Sequence, residues 1–310
     1  MSLEFLLYHV TFLSIGLLLS QSLNLAWRVD RFSLGHHGFF GIGAYTTAFL
    51  LTLVKGRLNL ILPSAGEGSV LLLVCFLTAL TAGLLISWGL HLLFRRLADD
   101  YFAVATLVFA EIARNVFSNW ESVGGALGFE APYLVFSNSR DDRLSYVLLY
   151  ASIGLAMNVC LFVLVRRLQR STYWLWIDAT RHDQLAAEMS GIEASQVQEA
   201  VFVLSAGCAA IAGALFVNFT TFVVPDDFTF VAGLPIILYV VLGRFDPLKC
   251  VLATVLMYSA YEVIKLRLFG LLGETVGEVL SDWKDGTFAA VLVIAVITPA
   301  LTKRWRRTRT

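Results

Sequence analysis

The chain has 310 residues, 58% of them hydrophobic and 15% charged, with a formal net charge of +0. A water-soluble domain of this length carries about 25% charged residues. The shortfall, together with a mean hydropathy of +0.75, excludes an ordinary soluble fold and points to a polytopic membrane protein. Backbone polar groups in lipid must be satisfied internally, which leaves helices or a closed barrel. The apolar runs are about 20 residues long and continuous, whereas barrel strands need only about 10 alternating residues. The expected class is therefore all-α.

In chain order, helical spans are expected at about 3–25, 36–54, 70–94, 101–119, 144–165, 200–221, 228–243, 248–266 and 287–302. This gives eight or nine transmembrane helices in one domain, 1–310, with no Pro- or Ser-rich linker dividing it. The first run carries no basic leader and no small-residue cleavage site, so it reads as a retained helix. Lys and Arg placement sets the orientation. Putting segment 166–200 in the cytoplasm leaves fifteen basic residues inside and seven outside, with Arg114 within a span. The N-terminus is then outside and the C-terminus cytoplasmic.

The second span opens on Ser33-Leu34-Gly35-His36-His37-Gly38-Phe39-Phe40-Gly41-Ile42-Gly43-Ala44-Tyr45. Such glycine density suits close helix crossing and local unwinding, so a broken or re-entrant helix is expected. Two readings stand side by side: a tight helix crossing, and a wall of a solute path. For the second, the path-lining candidates are His36, Gly38, Gly41, Gly43, Tyr45, Thr106 and Glu111.

The fourth span contains Glu111 and Arg114, three apart and on one helix face. Ionisable groups at membrane depth cost on the order of 3 kcal/mol each, so they must face protein or water. An internal ion pair and a pathway role both meet that demand.

Between the fifth and sixth spans lies a charged interruption, 166–200. Within it, Asp183 suits the N-cap of a short helix and Gly191 its C′ position. Ala186, Ala187 and Ser190 are small enough to let the backbone enter a groove on another protein, and Glu188 adds a charge. A solvated amphipathic loop has the same spacing.

Several chemistries are missing. No P-loop, H-E-x-x-H or G-x-S-x-G motif occurs, so ATP hydrolysis by a P-loop, zinc proteolysis and nucleophile-elbow catalysis are not expected of this chain. The four cysteines form no C-x-x-C pair and the histidines are scattered, so no metal, disulfide framework or cofactor is expected. No nucleic-acid partner is expected either.

The runs Ser33–Tyr45, Tyr101–Arg114, Ser122–Phe129 and Leu185–Ala214 together resemble the permease subunits of branched-chain amino-acid ABC importers, the LivH/LivM type and nearer LivM. The resemblance implies an importer permease fold in a bacterial or archaeal cytoplasmic (inner) membrane. It implies a second, related permease, cytoplasmic ABC ATPase subunits that hydrolyse the ATP, and an extracytoplasmic solute-binding protein. It also makes Ala187, Glu188 and Gly191 part of a short ATPase-coupling helix, and the expected coupling set is Asp183, Leu185, Ala186, Ala187, Glu188, Ser190, Gly191 and Ile192. The expected cargo is a small polar solute, with branched-chain or other amino acids foremost. The alternative is an ion-gradient-driven secondary transporter or channel for urea, an amide or an amino acid, with Glu111, Arg114 and Glu262 as coupling groups. Two stretches depart from the family pattern. Val240–Lys249 replaces a glycine-rich turn, and Ser171–Arg181 (S-T-Y-W-L-W-I-D-A-T-R) replaces a basic run before the coupling segment.

Overall fold

Small residues in one stretch, Ser205-Ala206-Gly207-Cys208-Ala209-Ala210-Ile211-Ala212-Gly213-Ala214, decide what sits at the centre. They belong to α8 (Ala194–Thr220), the most buried of the long helices, with 72% of its apolar window inside the protein. Lipid offers helices no hydrophobic reason to associate, so close packing of small residues supplies the attraction. The computed structural model describes residues 3–58, 65–97, 99–132, 143–244 and 246–272.

Around α8 pack α1 (Leu3–Ala26), α2 (His36–Leu58) and α3 (Ala65–Phe94). Further out lie α4 (Asp99–Asn119) and α5 (Arg143–Gln169), α5 lying chiefly against α1. After α8 come α9 (Phe230–Leu242) and α10 (Pro247–Leu272), both against α1. Between α5 and α8, two shorter helices, α6 (Thr172–His182) and α7 (Gln184–Met189), form one end of the protein. At the opposite end β1 (Phe129–Glu130) pairs antiparallel with β2 (Phe222–Val223), Phe129 facing Val223.

Seven described helical segments are long and apolar enough to cross a membrane, from Leu3–Val29 to Pro225–Leu242. They coincide with the first seven expected spans to within a few residues. The eighth corresponds to α10, 26 residues long. The ninth, 287–302, lies outside the described residues. The polar interruption is shorter than the expected 166–200, because α5 continues to Gln169 and α8 starts at Ala194.

One expectation is corrected. The second span is not broken within its glycine stretch: α2 runs unbroken from His36 to Leu58. The irregular backbone comes just before it, over 30–35. This segment is held inside the protein, with Arg31 and Ser33 both buried. Arg31, 4% exposed, anchors it. Its Nε and Nη2 donate to Gln198 Oε1 at 3.2 and 2.8 Å, and Nη1 donates to the Leu97 carbonyl at 3.2 Å. The guanidinium also covers the Phe102 ring at 4.9 Å. By Gly35 the chain is against the Thr106 backbone, about a third of the way along α4, so α2 begins well inside the helix layer.

Candidate functional site

Three places carry the residues singled out by sequence. The first is α7. Asp183 has extended backbone, and its carboxylate accepts from the Ala186 amide at 3.0 Å, which caps the first turn. At the far end the Ser190 amide donates to the Ala186 and Ala187 carbonyls, and the Ile192 amide to Ala187 at 3.0 Å. Gly191 has φ +84°, a left-handed conformation that a side chain would strain. Both expected punctuation residues therefore do their expected structural work.

The helix has two sides. Ala187 is 3% exposed and faces the protein, while Leu185 is 70% and Met189 84% exposed. Glu188 stands on the exposed side, with Gln184 Nε2 donating to it at 3.1 Å. Ala186 and Ser190 are also exposed and Ile192 is half-buried. Small size thus works in two directions: Ala187 seats α7 on its own chain, and Ala186 thins its outer face. Met189 was missed by sequence reasoning. It lies four residues after Leu185, which places both on one ridge, and that spacing was the available signal. Before α7, α6 buries Ile177 and Thr180 and leaves Leu175 and Trp176 exposed. Burial raises the Tyr173 phenol above its ordinary value.

The second place is the glycine stretch, which serves as a packing surface. A methyl on Gly43 would sit 2.6 Å from Ala210 Cα, and one on Gly213 of α8 would sit 2.7 Å from the Ala44 amide nitrogen. These two glycines let α2 and α8 cross backbone to backbone. A methyl on Gly38 would meet Ala110 Cβ at 2.8 Å, and one on Gly41 would meet Phe228 Cγ at 2.9 Å. His36 is buried, with Nε2 2.8 Å from Ser22 Oγ of α1. Thr106 is buried, and its hydroxyl donates to the Ala103 carbonyl at 2.8 Å. Tyr45 stacks on Phe117 with ring centroids 4.0 Å apart. The path candidates are thus spread through interhelical contacts. Of them, Tyr45 alone lines the groove of about 380 Å³ between α2, α3 and α4, whose wall includes Phe49, Ile112, Val116 and Trp120.

The third place is the charge cluster on α4. Arg114 Nε donates to Glu111 Oε2 at 2.9 Å, so the expected pair forms. It does not stand alone. Arg114 Nη1 reaches Asp226 Oδ1 at 3.4 Å, and Glu111 Oε1 accepts from the Phe230 amide at 3.4 Å. Asp226 belongs to a one-turn helix, Pro225–Phe228, and Phe230 is the first residue of α9. Thr229 caps the same helix by accepting from the Ala232 amide at 3.3 Å. The side chains of Glu111 and Arg114 are 36% and 25% exposed. α9 has 13 residues, about 20 Å at 1.5 Å per residue, which is short for a full crossing. Glu111 thus meets the N-terminus of a short helix, where a carboxylate is favoured by unpaired amides. Glu262 is elsewhere, 3.0 Å from His9 Nε2 between α10 and α1.

Residues 5–297 match the family model described as "Branched-chain amino acid transport system / permease component". The chain is 30% identical over 258 residues to the high-affinity branched-chain amino-acid transport system permease protein LivM of Salmonella typhimurium, and equally to that of Escherichia coli K12. Each alignment covers 75% of this chain and 57% of the relative, so the chain spans little more than half the length of these curated proteins. No solved structure matches the chain.

Proposed function

Because the chain belongs to this family of branched-chain amino-acid transport permease components, we propose that it is the membrane permease of an ATP-driven importer. It does no bond chemistry. Cytoplasmic ABC ATPase subunits hydrolyse ATP, a related second permease completes the membrane part, and an extracytoplasmic binding protein delivers the solute. The cargo is a small polar solute, a branched-chain or other amino acid. The excess of arginine and lysine on one side supports a cytoplasmic placement of α6, α7 and the C-terminus in an inner membrane.

One observation carries the reading. α7 is a capped helix seated on its own chain by Ala187, while Leu185, Glu188 and Met189 project away from it. A solvated loop has no reason to fix two large apolar side chains outward on a helix capped at both ends. A lever gripped by a partner does. ATP-driven closure of the partners moves α7, and α7 continues through Ile192 into α8, the helix around which α1, α2 and α3 pack. Nucleotide biases inward against outward states only by binding them with different affinity. The Glu111–Arg114–Asp226 cluster keeps part of its surface open, Asp226 most of all at 84% exposed, and charged groups of this kind face water or protein and not lipid.

The test is co-expression with the neighbouring ATPase, permease and binding-protein genes, followed by uptake assays in proteoliposomes. ATP-dependent amino-acid uptake that is lost with Glu188→Lys, while membrane insertion is retained, supports the reading. Uptake that persists without ATP and collapses with the proton gradient refutes it.

A further inference from the structure

The exposed surface of α5 changes character along its length. Leu155, Val159 and Val163 are 47%, 62% and 45% exposed and recur every fourth residue, so they form one outward ridge. On a membrane-spanning helix that ridge faces acyl chains. Its next members are Arg167 and, three residues on, Arg170, both exposed. Among the described residues neither Arg167 nor Arg170 makes an ion pair. The ridge thus turns from apolar to cationic within a turn or two of helix, about 5.4 Å of rise each. That is the step from hydrocarbon to the phosphate layer. Arg166, beside them, instead folds over the Phe162 ring at 5.2 Å and reaches Gln169.

The chain then turns at Ser171 into α6, which lies in the stretch that departs from the family pattern. Its inner side, Ile177 and Thr180, is buried. Its outer side begins with Leu175, 66% exposed, and Trp176, 44% exposed, the latter 5.6 Å from the Tyr173 ring. Tryptophan and tyrosine with an exposed leucine, directly after a basic helix end, is the composition of a helix lying in the membrane interface. A protein dock is the competing occupant, since α7 follows at once. The continuity of Arg167 and Arg170 with the acyl-facing ridge favours lipid, because a soluble partner has no access to that ridge.

We propose that Arg167, Arg170, Leu175 and Trp176 form a docking site for an acidic phospholipid, the two guanidinium groups on its phosphate and the α6 side chains against its acyl chains. The site requires that the helices span a membrane, and does not depend on the transport reading. A planar guanidinium takes phosphate oxygens two at a time, and each basic residue near an anionic surface is worth roughly a fivefold change in affinity.

The experiment uses the full chain purified in neutral detergent with its co-expressed partners. Short-chain phosphatidylglycerol is titrated, with phosphatidylcholine and inorganic phosphate as comparison ligands. The wild type should prefer phosphatidylglycerol over both. Arg167→Gln with Arg170→Gln should weaken that binding about 30-fold, and Arg167→Lys with Arg170→Lys, which keeps the charge and loses the paired bonds, should restore only part of it. A spin label on Leu175→Cys, with exposed Cys160 replaced by serine, should be reached by dissolved oxygen more than by a water-soluble relaxant. Equal binding of inorganic phosphate would make this a plain anion site and overturn the proposal. So would unchanged lipid affinity in the glutamine pair. Loss of ATPase co-purification in Leu175→Glu with Trp176→Glu, at unchanged lipid affinity, would identify a protein dock instead.

Discussion

Adding one methyl group at Gly43 tests the α2–α8 crossing directly. Built on the existing backbone, the alanine Cβ lies 2.6 Å from Ala210 Cα, and the atoms nearest to it all belong to the Ala210 backbone. Ordinary carbon–carbon contact begins near about 3.5 Å, so the helices must part by roughly 1 Å or tilt. Overpacking of this kind costs about 1–3 kcal/mol. Gly→Ala in a helix by itself returns about 1 kcal/mol, which leaves a net loss of up to about 2 kcal/mol. Gly89→Ala in α3 is the control, because a methyl there meets nothing within 4 Å and keeps only the propensity gain. The assay follows the unmasking of Cys75 and Cys250, both buried, by a thiol-reactive dye during heating, with exposed Cys160 replaced by serine. Gly43→Ala should melt below the wild type and Gly89→Ala at or above it. A Gly43→Ala protein as stable as the Gly89→Ala protein would refute the close-crossing argument.

Three further predictions follow from the same contacts. Gly41→Ala should be milder than Gly43→Ala, because its obstacle is the Phe228 side chain, which can rotate; equal melting temperatures would contradict this. Arg114→Gln should destabilise the protein by about 1–2 kcal/mol, less than a fully buried pair would lose, because both partners are partly exposed. The double variant with Glu111→Gln should recover part of that loss, and a double-mutant cycle showing no coupling would dismiss the pair. Asp183→Ala should cost α7 about 1 kcal/mol of capping energy, seen as faster hydrogen exchange at the Ala186 amide, with weaker ATP-driven uptake.

Local chemistry was legible in the sequence and assembly was not. Long apolar runs must become helices in lipid, so seven spans appear where expected. Asp183 and Gly191 act on neighbours three or four residues away, and their cap and left-handed turn follow from residue type alone. Glu111 and Arg114 are one turn apart, so their pairing was legible too. What joins them, Asp226 and the Phe230 amide, lies more than a hundred residues on and carries no local sign. The glycines at 38, 41 and 43 illustrate the same limit. Composition showed that something comes close, and only tertiary packing shows that it is Ala110, Phe228 and the α8 backbone. Met189 carries no sign of its own in the sequence, since its exposure depends on which side of α7 the rest of the chain occupies.

The central claim is that α7 transmits a partner's nucleotide cycle through Leu185, Glu188 and Met189. Its most direct measurement is ATP-driven uptake and ATPase co-purification for the assembled transporter carrying Leu185→Asp and Met189→Asp. Both should be lost while the two permease chains still insert and associate. Full co-purification with undiminished uptake would contradict the account.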